Sequence, residues 1–176
     1  MGGGVILNGK PWRGRGVAGE IGYMVVCRNG VLCICGWIGC MEVYSGWWVM
    51  EIEARSRVDK GHKTVLFRIM ERKKRPALTS GVWADALEHG DKMATELIER
   101  AIHALGAGVA SAVNLLDVEA VVIGGGLGTR LGQPYVDRIE HAMKPHLFVD
   151  SRPPAVHLAA LGDLAGAVGA ALLAKA

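Results

Sequence analysis

Apolar residues carry the clearest signal in the middle of the chain. From residue 91 to 116 they recur at Met93, Leu97, Ile98, Ala101, Ile102, Leu105, Val109, Ala112, Val113 and Leu116, the 3.6-residue period of one helix face. Gly106 and Gly108 interrupt that face, and either weaken the helix or let another backbone come close. Val118 to Ile123 is an apolar run but for Glu119, the mark of a buried strand, and Gly124-Gly125-Gly126 ends it. A helix is predicted from about Tyr135 to Lys144, a last strand over Val156 to Ala160, and a small-residue helix suited to close packing from Leu164 to Ala174. Nearer the start, Val5-Ile6-Leu7 reads as a strand with a tight turn at Asn8-Gly9. Residues 13–22 hold four glycines and form a loop; Tyr23 to Cys27 reads as a short strand with a second turn at Asn29-Gly30. A helix from Met41 carries Trp47, Trp48 and Ile52, while 55–80 shows no clear pattern. Thr79 or Ser80 can cap a helix over Val82 to His89, which Gly90 ends. Helix, buried strand, glycine turn and helix in succession predict an α/β layer architecture and a single domain.

Composition narrows the class. The 176 residues are 51% hydrophobic with a net charge of +3, which suits a packed domain rather than a disordered chain. Acids and bases are interspersed, so no nucleic-acid partner is expected; the Glu71 to Arg75 run reads as a solvated loop. Neither a membrane span nor a secretory signal is expected, which makes the cytoplasm the default location. Cysteines there stay reduced, and all four of this chain lie between 27 and 40.

The cysteines are the strongest chemical signal. In Cys33-Ile34-Cys35-Gly36-Trp37-Ile38-Gly39-Cys40-Met41-Glu42, three thiols fall within eight residues, and the glycines let the loop turn back on itself. A chain wraps thiolates around a tetrahedral metal in this way, and zinc suits a soft sulfur site. The alternative is three buried or merely reactive cysteines. Gly19-Glu20-Ile21-Gly22-Tyr23 precedes this loop, and a lone Glu in such a setting is ordinarily just exposed. Gly124, Gly125 and Gly126 after a strand allow close approach of a phosphate or nucleotide, although tight turns use glycine for geometric reasons too.

In combination these residues resemble the ROK family of sugar kinases and repressors. The family carries Glu-x-Gly-His followed by Cys-x-Cys-Gly-x-x-Gly-Cys-x-Glu, which Glu20 to Tyr23 and Cys33 to Glu42 match with one substitution. Gly2-Gly3-Gly4 before Val5 resembles the tail of its phosphate loop. Val113 to Asp117, Val121 to Gly126, and Leu161-Gly162-Asp163 to Ala171 resemble its nucleotide-side and C-terminal pattern. The resemblance covers nearly the whole chain. It implies the C-terminal half of an actin-like, ribonuclease H-like ATPase fold with a zinc-loop insertion. Residues 20–42 would form the sugar and zinc region, and 118–176 the nucleotide side. It further implies a cytoplasmic homodimer that transfers the ATP γ-phosphoryl group, with Mg, to the 6-hydroxyl of glucose or a related hexose. Glu20, Tyr23 and Glu42 would contact the sugar; Cys33, Cys35 and Cys40 would hold a structural Zn; Gly2, Gly3, Gly4, Gly124, Gly125 and Gly126 would lie along ATP.

Two departures stand out. Tyr23 replaces the family's zinc-binding His, and a neutral phenol is a poor zinc ligand. The fourth position is then open to water or, if the strand allows, to Cys27; a further alternative is no metal at all. The Asp-x-Gly-Gly-Thr element and the later Asn-Asp pair that holds the family's catalytic base are also not found, so the isolated chain is expected to be inactive as a kinase. A sugar-sensing module of a repressor and a degenerate, non-catalytic relative are the competing readings. His62, His89, His103, His141, His146 and His157 are scattered without metal spacing. Trp47 and Trp48 read as core or dimer contacts, and Asp163 as a cap of the last helix.

Overall fold

The computed structural model describes residues 1–174. Its elements run, in chain order, β1 (Val5–Leu7), β2 (Lys10–Trp12), α1 (Glu42–Ser45), α2 (Trp47–Asp59), α3 (Leu66–Arg72), α4 (Ser80–Glu88), α5 (Lys92–Leu116), β3 (Ala120–Ile123), α6 (Gly125–Met143), β4 (Ala155–Leu158) and α7 (Ala165–Leu173). β1 and β2 form a hairpin, with Asn8 and Gly9 both at positive φ, as a two-residue turn of this hand demands. β3 and β4 pair in parallel, Ala120 opposite Ala155 through Ile123 opposite Leu158, with α6 as the crossover.

The long central helix is the organiser. α5 begins at Asp91, whose carboxylate accepts from the Ala94 N–H (2.8 Å) at one oxygen. The other oxygen accepts from the Val65 N–H (2.7 Å) and the Thr64 hydroxyl (2.9 Å). The cap therefore ties the loop before α3 to the start of α5. The apolar face of α5 packs with Met50, Leu66, Ile69, Val82, Trp83, Tyr135, Ile139 and Met143 in one core. Gly106 lets α6 come close: a Cβ there would lie 2.6 Å from the backbone carbon of Ala142. Gly108 does the same for the cysteine-loop side, since its Cβ would lie 2.3 Å from the Met41 sulfur.

Several expectations are corrected. Tyr23 to Cys27 is not a strand: Ile21–Tyr23 is a 3-10 turn, and Val25 makes a single bridge to Cys40. β3 is not buried throughout; Val122 is 63% exposed, because among the described residues its sheet has only two strands and one face lies open. α6 begins ten residues earlier than expected. It is two helical pieces joined at Gly132, whose φ of 66° and ψ of −155° break the helix just before Pro134. The unpatterned stretch 55–80 holds the end of α2 and all of α3. α7 forms as expected yet buries none of its residues, and Asp163 does not cap it; Asp163 sits in a 3-10 turn over Gly162–Leu164.

Candidate functional site

The cysteine loop is held by its own backbone. The Cys33 N–H donates to the Trp37 carbonyl (2.7 Å), the Gly36 N–H to the Cys33 carbonyl (2.9 Å) and the Gly39 N–H to the Val31 carbonyl (2.8 Å). Gly36 and Gly39 have φ of 92° and 82°, a region other residues reach only with strain. At Gly39 the demand is also steric, since a Cβ would fall 1.6 Å from the Cys27 carbonyl oxygen.

This folding gathers the three thiols. The Sγ atoms of Cys33, Cys35 and Cys40 all lie within 4.8 Å of one another, and those of Cys35 and Cys40 are 3.6 Å apart. Zinc–sulfur bonds of about 2.3 Å in a tetrahedron put neighbouring sulfurs about 3.8 Å apart, so the donor set fits the ion. Cys33 and Cys40 are buried and Cys35 is exposed. Without metal, burial pushes the Cys40 thiol up to about 12, with Cys35 and Cys33 adding to it. The Trp37 backbone beside Cys35 lowers that thiol against the effect of its burial, helped by Cys33 and Cys40. Ion binding here must displace protons, most stubbornly from Cys40.

Cys27 stands apart from the cluster. Its N–H donates to the Gly39 carbonyl (3.2 Å), its carbonyl accepts from Gly30 (3.1 Å), and its side chain lies by the Tyr44 hydroxyl. That hydroxyl accepts from the Val31 N–H (3.1 Å), and the Tyr44 ring lies 5.6 Å from the Arg100 guanidinium of α5. Tyr44 thus pins the cysteine loop to the central helix, a role the sequence did not announce because an aromatic four residues past the last thiol reads as ordinary core.

Glu42 follows the loop at the start of α1 and is only 6% exposed. Its Oε1 accepts from the Trp48 indole N–H (3.0 Å), and the N-terminal amine lies 2.5 Å from Oε2. Gly22 and Gly46 flank the carboxylate: a Cβ on Gly22 would come within 3.0 Å of Oε2, and one on Gly46 within 2.4 Å of Oε1. Trp48 is thus a carboxylate-orienting residue as well as a packing one, and Trp47 points out to solvent. Tyr23 is half exposed. What burial it has, then the charge of Glu20 and Glu42 and of the Cys33 and Cys35 thiols, holds its phenol above its ordinary range. Glu20, Glu42, Cys33 and Cys35 thus lie near enough to Tyr23 for their charges to act on it.

The two glycine runs have different neighbours. Gly3 packs on Gly19 and Ile21, at the foot of the loop that carries Glu20. Gly126 packs on Ser80, where a Cβ would lie 3.2 Å from the hydroxyl oxygen. Ser80 lines an open cleft of about 380 Å³ together with Thr79, Gly81, Lys73, Arg75 and Arg130. The Glu71 to Arg75 run ends α3 and turns, with all five residues exposed. Lys73 pairs with Asp85 (2.7 Å), and Arg75 and Arg130 line the cleft with Asp85 and Glu88, so its rim carries both signs of charge. The histidines form no metal group among the described residues, and no helix there is long and apolar enough to cross a membrane.

Comparison with known proteins gives this geometry a context. The sequence model of the ROK family matches residues 1–176. A glucokinase from Thermotoga maritima is 30% identical over 179 residues, covering 99% of this chain and 55% of that protein. An N-acetylmannosamine kinase from Yersinia pseudotuberculosis is 34% identical, covering 100% of this chain and 54% of that protein. Among solved structures, a ROK family glucokinase from Streptomyces griseus in complex with glucose and AMPPNP superposes with a TM-score of 0.77 at 32% identity, over 99% of this chain and 57% of that one. The chain spans about half the length of the curated relatives it matches. Its structural neighbours are ROK sugar kinases, which have the actin-like ATPase fold.

Proposed function

This chain belongs to the ROK family, and on that premise we propose that it is the sugar-gripping, zinc-bearing half of a hexose kinase. The observation that carries the reading is Glu42. It is a buried carboxylate with no Lys or Arg side chain paired to it among the described residues, and it is oriented by Trp48 beside an exposed Glu20 and Tyr23. Burying a carboxylate is costly unless donors satisfy it. A sugar offers such donors: vicinal hydroxyls can both donate to one carboxylate, and the bonds are charge-assisted.

Cys33, Cys35 and Cys40 hold a structural zinc that fixes the loop ending in Glu42, so that the carboxylate meets the sugar already oriented. Gly124, Gly125 and Gly126, with the cleft at Ser80, Arg75 and Arg130, take the nucleotide, and Gly2, Gly3 and Gly4 belong to the phosphate side. The whole protein, a cytoplasmic homodimer, transfers the ATP γ-phosphoryl group with Mg to the 6-hydroxyl of glucose or a related hexose. Transfer requires the nucleophile, the phosphate cradle and the metal in one place. The 176 residues carry no Asp-x-Gly-Gly-Thr element, so by themselves they bind without phosphorylating.

Calorimetric titration with glucose and with N-acetylmannosamine tests the reading. One hexose should bind, and Glu42→Gln should weaken it about ten- to a hundredfold, the cost of a charge-assisted hydrogen bond. Hexose binding of equal strength in Glu42→Gln would refute the assignment, and ATP-dependent glucose phosphorylation by the pure chain would refute the predicted inactivity.

A further inference from the structure

We propose that the ion in the cysteine loop is held by three thiolates only, and that its fourth position is open on the Tyr23 side and takes small sulfur or nitrogen donors from solution. The inference rests on the zinc reading above.

Three sulfurs within 4.8 Å of one another make one face of a tetrahedron. No fourth cysteine, histidine or carboxylate oxygen lies within 4.8 Å of all three among the described residues. Zinc takes sulfur, imidazole or carboxylate, and a site with three protein ligands keeps its remaining position for an exogenous one. The one further cysteine is tied down elsewhere. Moving Cys27 into the cluster would break the bonds from the Val26 and Cys27 N–H groups to the Gly39 carbonyl (2.8 and 3.2 Å) and from the Gly30 N–H to the Cys27 carbonyl (3.1 Å). It would also move the segment that packs on Gly39 with no room for a Cβ.

Access follows from the uneven burial of the cluster. Cys33 and Cys40 are 2% and 0% exposed, so the protein covers their side of the ion. Cys35 is exposed, and Tyr23, 49% exposed, is near enough for the Cys33 and Cys35 thiols to act on it. A donor the size of imidazole or a small thiol reaches the ion past Cys35 without unfolding the loop.

The test uses the full 176-residue chain loaded with cobalt(II), whose visible spectrum reports the number and kind of its ligands. One cobalt per chain with a sulfur charge-transfer band of three thiolates is expected. Imidazole should shift the visible bands saturably, and Cys27→Ser should change neither the intensity nor the shift. Tyr23→His should bind cobalt at least about tenfold more tightly and lose the response to imidazole, because the added ring closes the site. A spectrum unmoved by imidazole, or one that loses a quarter of its charge-transfer intensity in Cys27→Ser, overturns the open position while leaving the metal reading intact. A chain that takes up neither cobalt nor zinc overturns both.

Discussion

Adding one methyl group at Gly106 and the same group at Gly81 should move stability in opposite directions. At Gly106 the new Cβ falls 2.6 Å from both the carbonyl carbon and the Cβ of Ala142 and 2.7 Å from its oxygen. Carbon atoms prefer about 3.5–4.0 Å, so the two helices must separate by about 1 Å where they cross. Two of the three obstructing atoms are backbone, and no rotamer change can swing them aside. Overpacking of this kind costs about 1–3 kcal/mol, and the better helix propensity of alanine returns up to about 1 kcal/mol. The net expectation for Gly106→Ala is a loss of about 1–2 kcal/mol. At Gly81, in the first turn of α4, a Cβ would meet only the Lys73 Nζ at 3.9 Å. There the propensity gain stands alone, about 0.5 kcal/mol of stabilisation. Thermal melts of the two variants should then differ by roughly 4–10 °C for a chain of this size. A Gly106→Ala chain that melts at or above the wild type would show that α5 and α6 do not approach as closely as described, and would refute the packing argument.

Asp91→Ala should cost about 2–4 kcal/mol in urea unfolding, because it removes a helix cap and orphans the Val65 N–H together. Asp91→Ser, which keeps a capping oxygen, should cost about half as much. Trp48→Phe leaves Oε1 of Glu42 without its indole donor, so hexose affinity measured by calorimetry should fall about tenfold while the melting temperature changes little. Tyr135 is pushed up to about 12 by burial. Its stabilising contribution is therefore complete below about pH 10, the ordinary phenol value, and is lost as pH rises toward 12. Between pH 8 and pH 11 the wild type should lose about 1.4 kcal/mol more than Tyr135→Phe, read from urea melts at the two pH values.

The parts of this fold that the sequence revealed are those where one physical demand acts alone. α5 was legible because twenty-five residues repeat one buried face, and Asp91 sits at its head. The clustering of the three thiols was legible because thiols and glycines have few other reasons to alternate so tightly. Elsewhere demands competed. The first half of α6 hid behind Gly125, Gly126 and Gly128, residues that argue for a turn, and it forms because its neighbours, not its propensity, hold it. Only Met50 and Ala54 of α2 are buried, too few to mark a face, so its length past residue 55 went unseen. The apolar run at β3 suggested burial on both sides, which takes layers beyond the two strands described. The tie from Tyr44 to Val31, and the indole on Glu42, join residues thirteen and six apart that follow no helical or strand period.

Gly106 and Gly108 are two residues apart, so they point about 200° from each other around α5. One admits Ala142 of α6, whose first residues are Gly125 and Gly126, the latter against Ser80 of the cleft; the other admits Met41, between the last thiol and Glu42. With no side chain on either face, the partition between the two halves of the site is a bare helix backbone, its Cα cylinder about 4.6 Å across. Met41 and Ala142 press on the same turn from opposite sides. A displacement of the cysteine loop reaches this turn through the Met41 side chain, and Ala142 of α6 lies against the opposite side of the same backbone.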